Sequence, residues 1–125
     1  MGAMLANVMF GEAAVSMSTT SRQGAGIWLA EVVATAGLVM VIMGTGRSRR
    51  PDSTAIAVGA YITAAYWFTS STSFANPAVT VARMFSDTFA GIAPSSVPAF
   101  VVVQLLAGGL AALLVAFLHP VKESS

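Results

Sequence analysis

The residues of this chain best placed to do chemistry lie in Phe74-Ala75-Asn76-Pro77-Ala78-Val79-Thr80, which follows the polar run Thr69-Ser70-Ser71-Thr72-Ser73 and falls between two long apolar segments. The Asn76 amide offers two N–H donors and a carbonyl acceptor, enough to hydrogen-bond an uncharged solute. Asn76 also suits the cap of a helix, and Pro77 suits its first position. Capping, solute binding, or both together are open to it. Nothing else in the chain assembles a nucleophile, a base and an orienting partner. The hydroxyls before Asn76 have no histidine beside them, and they serve a loop that must satisfy its own backbone. The single His119 ends the last apolar segment, and cysteine is absent. No catalytic residue, metal ligand set or cofactor is expected, and the chain does not read as an enzyme.

The elements that must position this loop are set by composition. The chain is 56% hydrophobic and 9% charged, with a mean hydropathy of +0.79. A soluble domain carries roughly a quarter charged residues. A net charge of +1 gives no electrostatic basis for binding nucleic acid. The partner indicated is a lipid bilayer.

Three apolar segments are long enough to span it: residues 27–46, with the single acid Glu31; residues 54–69, closing on Tyr66-Trp67-Phe68; and residues 97–118, with no charge. Pro51 and Asp52 suit the start of the second, and Pro98 the first turn of the third. Residues 1–10 are apolar but too short to cross and read as the end of a helix. Residues 76–85 are too few to span and too apolar for an exposed loop. Non-helical backbone at membrane depth must be buried in protein or line a water-filled cavity. A re-entrant half-helix over 76–85 meets that demand. Arg47, Arg49 and Arg50 between the first two spans, with Lys122 after the third, place that loop and the C-terminus on the cytoplasmic side. The Asn-Pro-Ala loop, Glu12 and Arg22 then enter from outside. Small residues recur at four-residue spacing (Ala30 and Ala34; Ala55, Gly59 and Thr63; Gly108 and Ala112), which lets helices approach closely in lipid.

With these features in place the chain resembles the second half of an aquaporin-type channel (major intrinsic protein). The resemblance rests on Ala30-Glu31 with Thr35, Gly59-Ala60-Tyr61, Asn76-Pro77-Ala78, and Gln104-Leu105 with Gly108-Gly109, and it covers nearly the whole chain. It implies an all-α membrane protein: one half of an aquaporin-like fold, with three transmembrane helices, a re-entrant half-helix and an N-terminal helix stub. The family fold joins two inverted repeats, usually as tetramers of complete pores. Half-helix N-termini and two asparagines meet at its centre, orienting solutes and opposing cations. By this resemblance Asn76 is the central pore donor, Pro77 and Ala78 form the half-helix tip, and Glu31 accepts hydrogen bonds from the re-entrant backbone. An intramembrane carboxylate without a partner is expensive; otherwise Glu31 lies near the interface and snorkels.

Val79 departs from the family pattern, which places arginine after the second Asn-Pro-Ala in most water channels. Losing a guanidinium removes charge, donors and bulk. With Ser73 and a position near Ala64 at the other filter sites, a wider and less polar constriction is expected. It suits uncharged solutes larger than water, such as glycerol-like polyols, urea or neutral metalloid oxyacids. Arg83, one turn beyond Val79, either restores charge at the outer vestibule or pairs with Asp87; the pair is the favoured reading.

The function expected is a passive half-channel for small uncharged solutes in the plasma (inner) membrane, requiring a first-half channel polypeptide. Two copies in one orientation do not recreate inverted symmetry. The alternative is an inactive truncated fragment, or a small membrane interaction protein without transport.

Overall fold

The computed structural model describes residues 1–47 and 50–120, without the side chain of Pro51. Arg49 and Lys122, on which half of the orientation argument rests, lie outside the described residues. In chain order the helices are α1 (Gly2–Met9), α2 (Ala25–Gly46), α3 (Pro51–Phe68), α4 (Pro77–Arg83) and α5 (Val97–Leu118), with a 3-10 turn at Pro94–Ser96 before the last. The described residues contain no strand.

Each start has a local cause. Proline stands in the first turn of α3, α4 and α5, where its missing N–H costs no intrahelical bond. The Asn76 side chain caps α4 by accepting from the Ala78 amide at 2.8 Å. By length and apolarity two described segments, Ala25–Gly46 and Pro94–Leu118, suffice to cross a membrane. The 18-residue α3 is shorter and carries Asp52, Ser53, Thr54 and Thr63, so its apolar content falls below theirs.

Helix α2 packs along α5 and α3 packs along α2, while α4 docks on α5 and α1 on α4. Close approach of α2 and α5 follows from small side chains. Ala34, Ala107 and Ala111 are buried, and a Cβ on Gly108 would lie 3.8 Å from Thr35 Cγ2 and 3.9 Å from Val39 Cγ2. Between α2 and α3 the Tyr61 hydroxyl donates to the Ala34 carbonyl at 2.9 Å. It occupies the space over Gly37, where a Cβ would collide with it. The small-residue row of α3 behaves differently: Ala55, Gly59 and Thr63 are all exposed.

The outer faces explain the solvent this fold requires. Leu105, Leu110 and Leu113 on α5 are 63%, 67% and 70% exposed. A continuous apolar face of this kind is unfavourable in water and suited to lipid. Inside, Phe74, Ile92 and Phe100 form a small core, ringed by Ile27, Val79, Met84 and Val97. Phe74 meets Phe100 edge-on at 5.5 Å between ring centroids. Apolar burial is therefore concentrated where the loop before α4 meets α2 and α5.

The segment before α2 straps the far end of α4. Ser16 and Ser18 amides donate to the Phe85 and Met84 carbonyls at 3.1 and 2.9 Å, and the Ala93 amide donates to Thr20 at 2.7 Å. Asn7 of α1 joins them by donating to the Phe85 carbonyl at 3.0 Å.

Candidate functional site

The chain from Thr69 to Asn76 has no helix or strand to satisfy it, and it turns sharply. Thr72, Ser73 and Ala75 have φ of 62°, 50° and 50°, left-handed values that non-glycine residues rarely take. Each such residue costs on the order of 1–3 kcal/mol unless its surroundings hold it. The hold comes chiefly from Glu31. Its side chain is fully buried, and Oε1 accepts from the Ala75 amide and, at 2.8 Å, from Gln104 Nε2. Gln104 Nε2 also contacts Thr80 Oγ1 at 2.8 Å, and Thr80 is itself fully buried on α4. One carboxylate thus ties together α2, the turn, α4 and α5. The Glu31 side chain is inside the bundle rather than at an interface. Glu31 Oε2 has no partner among the described residues.

This clamp fixes where Asn76 points. The residue is exposed at the tip of α4, and its Oδ1 is used by the Ala78 amide. Its Nδ2 makes no hydrogen bond among the described residues, so both amide protons remain available. Capping and donation coexist on one side chain, with the acceptor turned to the helix and the donors turned away. Pro77 and Ala78 form the tip beside it, at the edge of an apolar cleft shared with Met4 and Phe85.

A second, larger cleft of about 880 Å³ lies towards the other end of α4. Val79, Ala82, Arg83, Tyr66, Asn7, Glu12 and Phe89 are among its lining residues. Of the three positions expected to form a filter, Val79 alone borders it. Ala64 is exposed elsewhere on α3; two residues along a helix turn a side chain by about 200°, and Tyr66 is the one that lines the cleft with Val79. Ser73 is buried in the strained turn, its Oγ without a partner among the described residues, and it does not line the cleft.

Arg83 does not pair with Asp87. The Asp87 carboxylate is taken by Thr19, whose amide and hydroxyl donate to Oδ1 at 2.9 and 3.0 Å. The Arg83 guanidinium instead lies over the Phe74 ring, 4.4 Å from its centroid. Arg22 approaches the same ring at 5.0 Å. Unlike Arg83, it is buried and each of its three guanidinium nitrogens donates, to the carbonyls of Phe89 at 2.6 Å, Gly91 at 2.7 Å and Ser71 at 3.3 Å. Its backbone amide donates to Ser96 Oγ at 3.1 Å. Burial lowers the Arg22 pKa from its usual value, and the neighbouring Arg83 charge lowers it further.

The structure thus brings together an exposed asparagine donor at the tip of α4 and, one residue before it, a turn tied to a buried glutamate between apolar helices. The chain is 50% identical over 112 residues to the aquaglyceroporin AqpS of Rhizobium meliloti (strain 1021), an alignment covering 90% of this chain and 47% of that protein. The chain belongs to the aquaporin (major intrinsic protein) family. It is an integral membrane protein, and it spans about half the length of the curated relative it matches. No protein-family model matches the chain, and no solved structure does. Aquaporins are channels, not enzymes.

Four residues of this candidate site were not assigned their roles from sequence. Arg22 read as a loop charge on the outer side, and nothing in its neighbours announced three carbonyl partners. Gln104 carried a stronger signal: it is the one long polar side chain within 22 otherwise apolar residues, and an intramembrane polar group is a site hypothesis by default. Thr80 belongs to the clamp through Gln104, and Tyr66 takes the cleft position expected near Ala64.

Proposed function

We propose that this chain is the C-terminal half of a passive channel for small uncharged solutes such as water, glycerol or neutral metalloid acids. Asn76 is the central donor, Pro77 and Ala78 shape the tip around it, and Glu31 supports the turn. Helix α3 is a third span beside α2 and α5, and α1 is the end of the helix that precedes them. The observation that carries the reading is the divided use of the Asn76 amide: one side held by Ala78, the other free at an exposed tip. Such a group gives a solute oxygen one hydrogen bond as it leaves water and holds no charge that would trap it.

Val79 makes the constriction apolar and wider than an arginine would. Its opposing wall comes from Tyr66 rather than Ala64, and Ser73 supports the turn from beneath. The widened point favours glycerol-sized solutes over water alone.

A complete pore needs a first-half channel polypeptide carrying the complementary half-helix, and complete pores assemble as tetramers in the plasma (inner) membrane. The Arg47–Arg50 loop and the C-terminus lie on the cytoplasmic side. The outward row Ala55, Gly59 and Thr63 supports helix association at this surface. It equally supports the second reading, a small membrane interaction protein without transport. Stopped-flow swelling of liposomes separates the two. The chain reconstituted with a supplied first half admits glycerol faster than bare lipid, and Asn76→Ala slows it. If neither water, glycerol nor a neutral metalloid acid crosses faster than through bare lipid, the channel reading fails.

A further inference from the structure

The outer cleft holds a cation whose hydrogen-bonding capacity is unused. Arg83 carries five N–H donors, yet its side chain meets no acceptor among the described residues, and Nη1 is buried without a partner. The carboxylate expected to neutralise it, Asp87, is occupied by Thr19. The contrast with Arg22 is informative, because both guanidiniums lie over the Phe74 ring. Arg22 spends its donors on three carbonyls and locks the outer loops. Arg83 is held by the ring alone, which fixes its position without using a donor.

A partly desolvated guanidinium without acceptors gains strongly from any oxygen that reaches it. Glu12 lines the same cleft, and its carboxylate has no hydrogen-bond or ion-pair partner among the described residues. One unspent donor set and one unspent acceptor set therefore face a common space of about 880 Å³. Together they select for chemistry that neither selects alone. A free cation meets Arg83, with Arg22 behind the same ring. A free anion meets the Glu12 carboxylate. A neutral molecule with several hydroxyls satisfies both, since its lone pairs accept from Arg83 and its O–H groups donate to Glu12.

We propose that Arg83 and Glu12 form a recognition subsite at the outer mouth for neutral polyhydroxylic solutes, meaning polyols and undissociated oxyacids. Val79 and Tyr66 supply the wall against which the carbon or central-atom side rests. The subsite deepens the channel reading and depends on it for its setting, but its binding chemistry is testable apart from transport.

The test uses the full chain in lipid nanodiscs, with glycerol read by saturation-transfer NMR and boric acid read by boron-11 line broadening. The wild-type chain binds both saturably. Arg83→Gln binds both about tenfold more weakly, the loss expected for removing a charge-assisted hydrogen bond, and Arg83→Lys recovers part of it. Glu12→Gln weakens both probes and lets dihydrogen phosphate compete, which it does not do in the wild type. Far-UV circular dichroism confirms that each variant keeps its helices. Should Arg83→Gln lose them, Glu12→Gln, on an exposed loop, carries the test. Absence of saturable binding by the wild type, or unchanged binding by both Arg83→Gln and Glu12→Gln, overturns the proposal. Flux with a supplied first half is scored separately. A chain that binds glycerol through Arg83 but conducts nothing refutes the channel and leaves the subsite standing, whereas conduction indifferent to both variants refutes the subsite alone.

Discussion

Removing the Glu31 carboxylate should release the turn that carries Asn76. In Glu31→Ala the Ala75 amide loses its acceptor inside the bundle, where Glu31 is 0% exposed, and one N–H of Gln104 Nε2 loses its own while Thr80 Oγ1 stays beside the nitrogen. An unsatisfied buried donor costs about 1–3 kcal/mol, and two give roughly 2–6 kcal/mol. The turn also stores strain at Thr72, Ser73 and Ala75, so the lost bonds are no longer set against a relaxed alternative. A bias of about 3 kcal/mol shifts an opening equilibrium by more than about a hundredfold. Glu31→Gln keeps one acceptor at nearly the same place and loses only the charge assistance, roughly 1 kcal/mol, or about fivefold.

The chain lacks cysteine, so a single introduced thiol reports opening cleanly. Ser73 is the position of choice. It is 3% exposed, and its Oγ has no partner to lose. In the Ser73→Cys background, reaction with a small water-soluble maleimide should be slow. Glu31→Ala should accelerate it by about two orders of magnitude and Glu31→Gln by less than one, following the open populations. Circular dichroism checks that the helices remain. Equal labelling of all three proteins, with helices intact, would refute the argument that this carboxylate holds the turn. Acceleration by Glu31→Gln equal to that by Glu31→Ala would show that charge, rather than the acceptor position, is what matters.

Three further outcomes follow from the packing. Gly37→Ala should destabilise the α2–α3 contact by about 1–3 kcal/mol, because the new methyl collides with the Tyr61 hydroxyl; Gly108→Ala, whose methyl meets only ordinary contacts at 3.8 Å and beyond, should change stability by less than about 1 kcal/mol. Denaturation in mild detergent compares the two, and equal losses would contradict the packing described. Arg22→Gln should strip donors from the Phe89, Gly91 and Ser71 carbonyls and raise proteolysis of the 86–93 loop severalfold while leaving the α2–α5 pair folded; unchanged cleavage would mean that the strap holds without it. Val79→Arg should lower glycerol flux relative to water by about tenfold in a completed channel, the scale on which a pocket discriminates against added bulk, and an unchanged ratio would place the constriction elsewhere.

The legible part of this protein was what depends on local chemistry. Pro77 after Asn76 marks the start of α4, because a proline needs no amide partner there and an asparagine supplies the cap. Residues 76–85 are too few and too apolar for a span or an exposed loop, which pointed to a short helix, and α4 occupies Pro77–Arg83. Glu31 was conspicuous because an acid within an apolar run demands a partner, although nothing local identifies that partner as the Ala75 amide 44 residues away. What escaped was geometry that depends on rotation and on competition. Ala64 and Tyr66 differ by two residues, but a helix converts that into opposite sides, so an error of half a turn exchanges a methyl for a phenol at the cleft. Arg83 and Asp87 have the spacing of a surface pair, and the pair fails because Thr19, 68 residues from Asp87, offers two donors to the same oxygen. Spacing rules rank partners along one helix; they cannot see a loop that arrives from elsewhere. The consequence reaches function. A paired Arg83 would be neutralised, whereas with Asp87 held by Thr19 the guanidinium beside the cleft has no acceptor among the described residues, so the serine- and threonine-rich segment before α2 shapes the chemistry of a cleft it does not line.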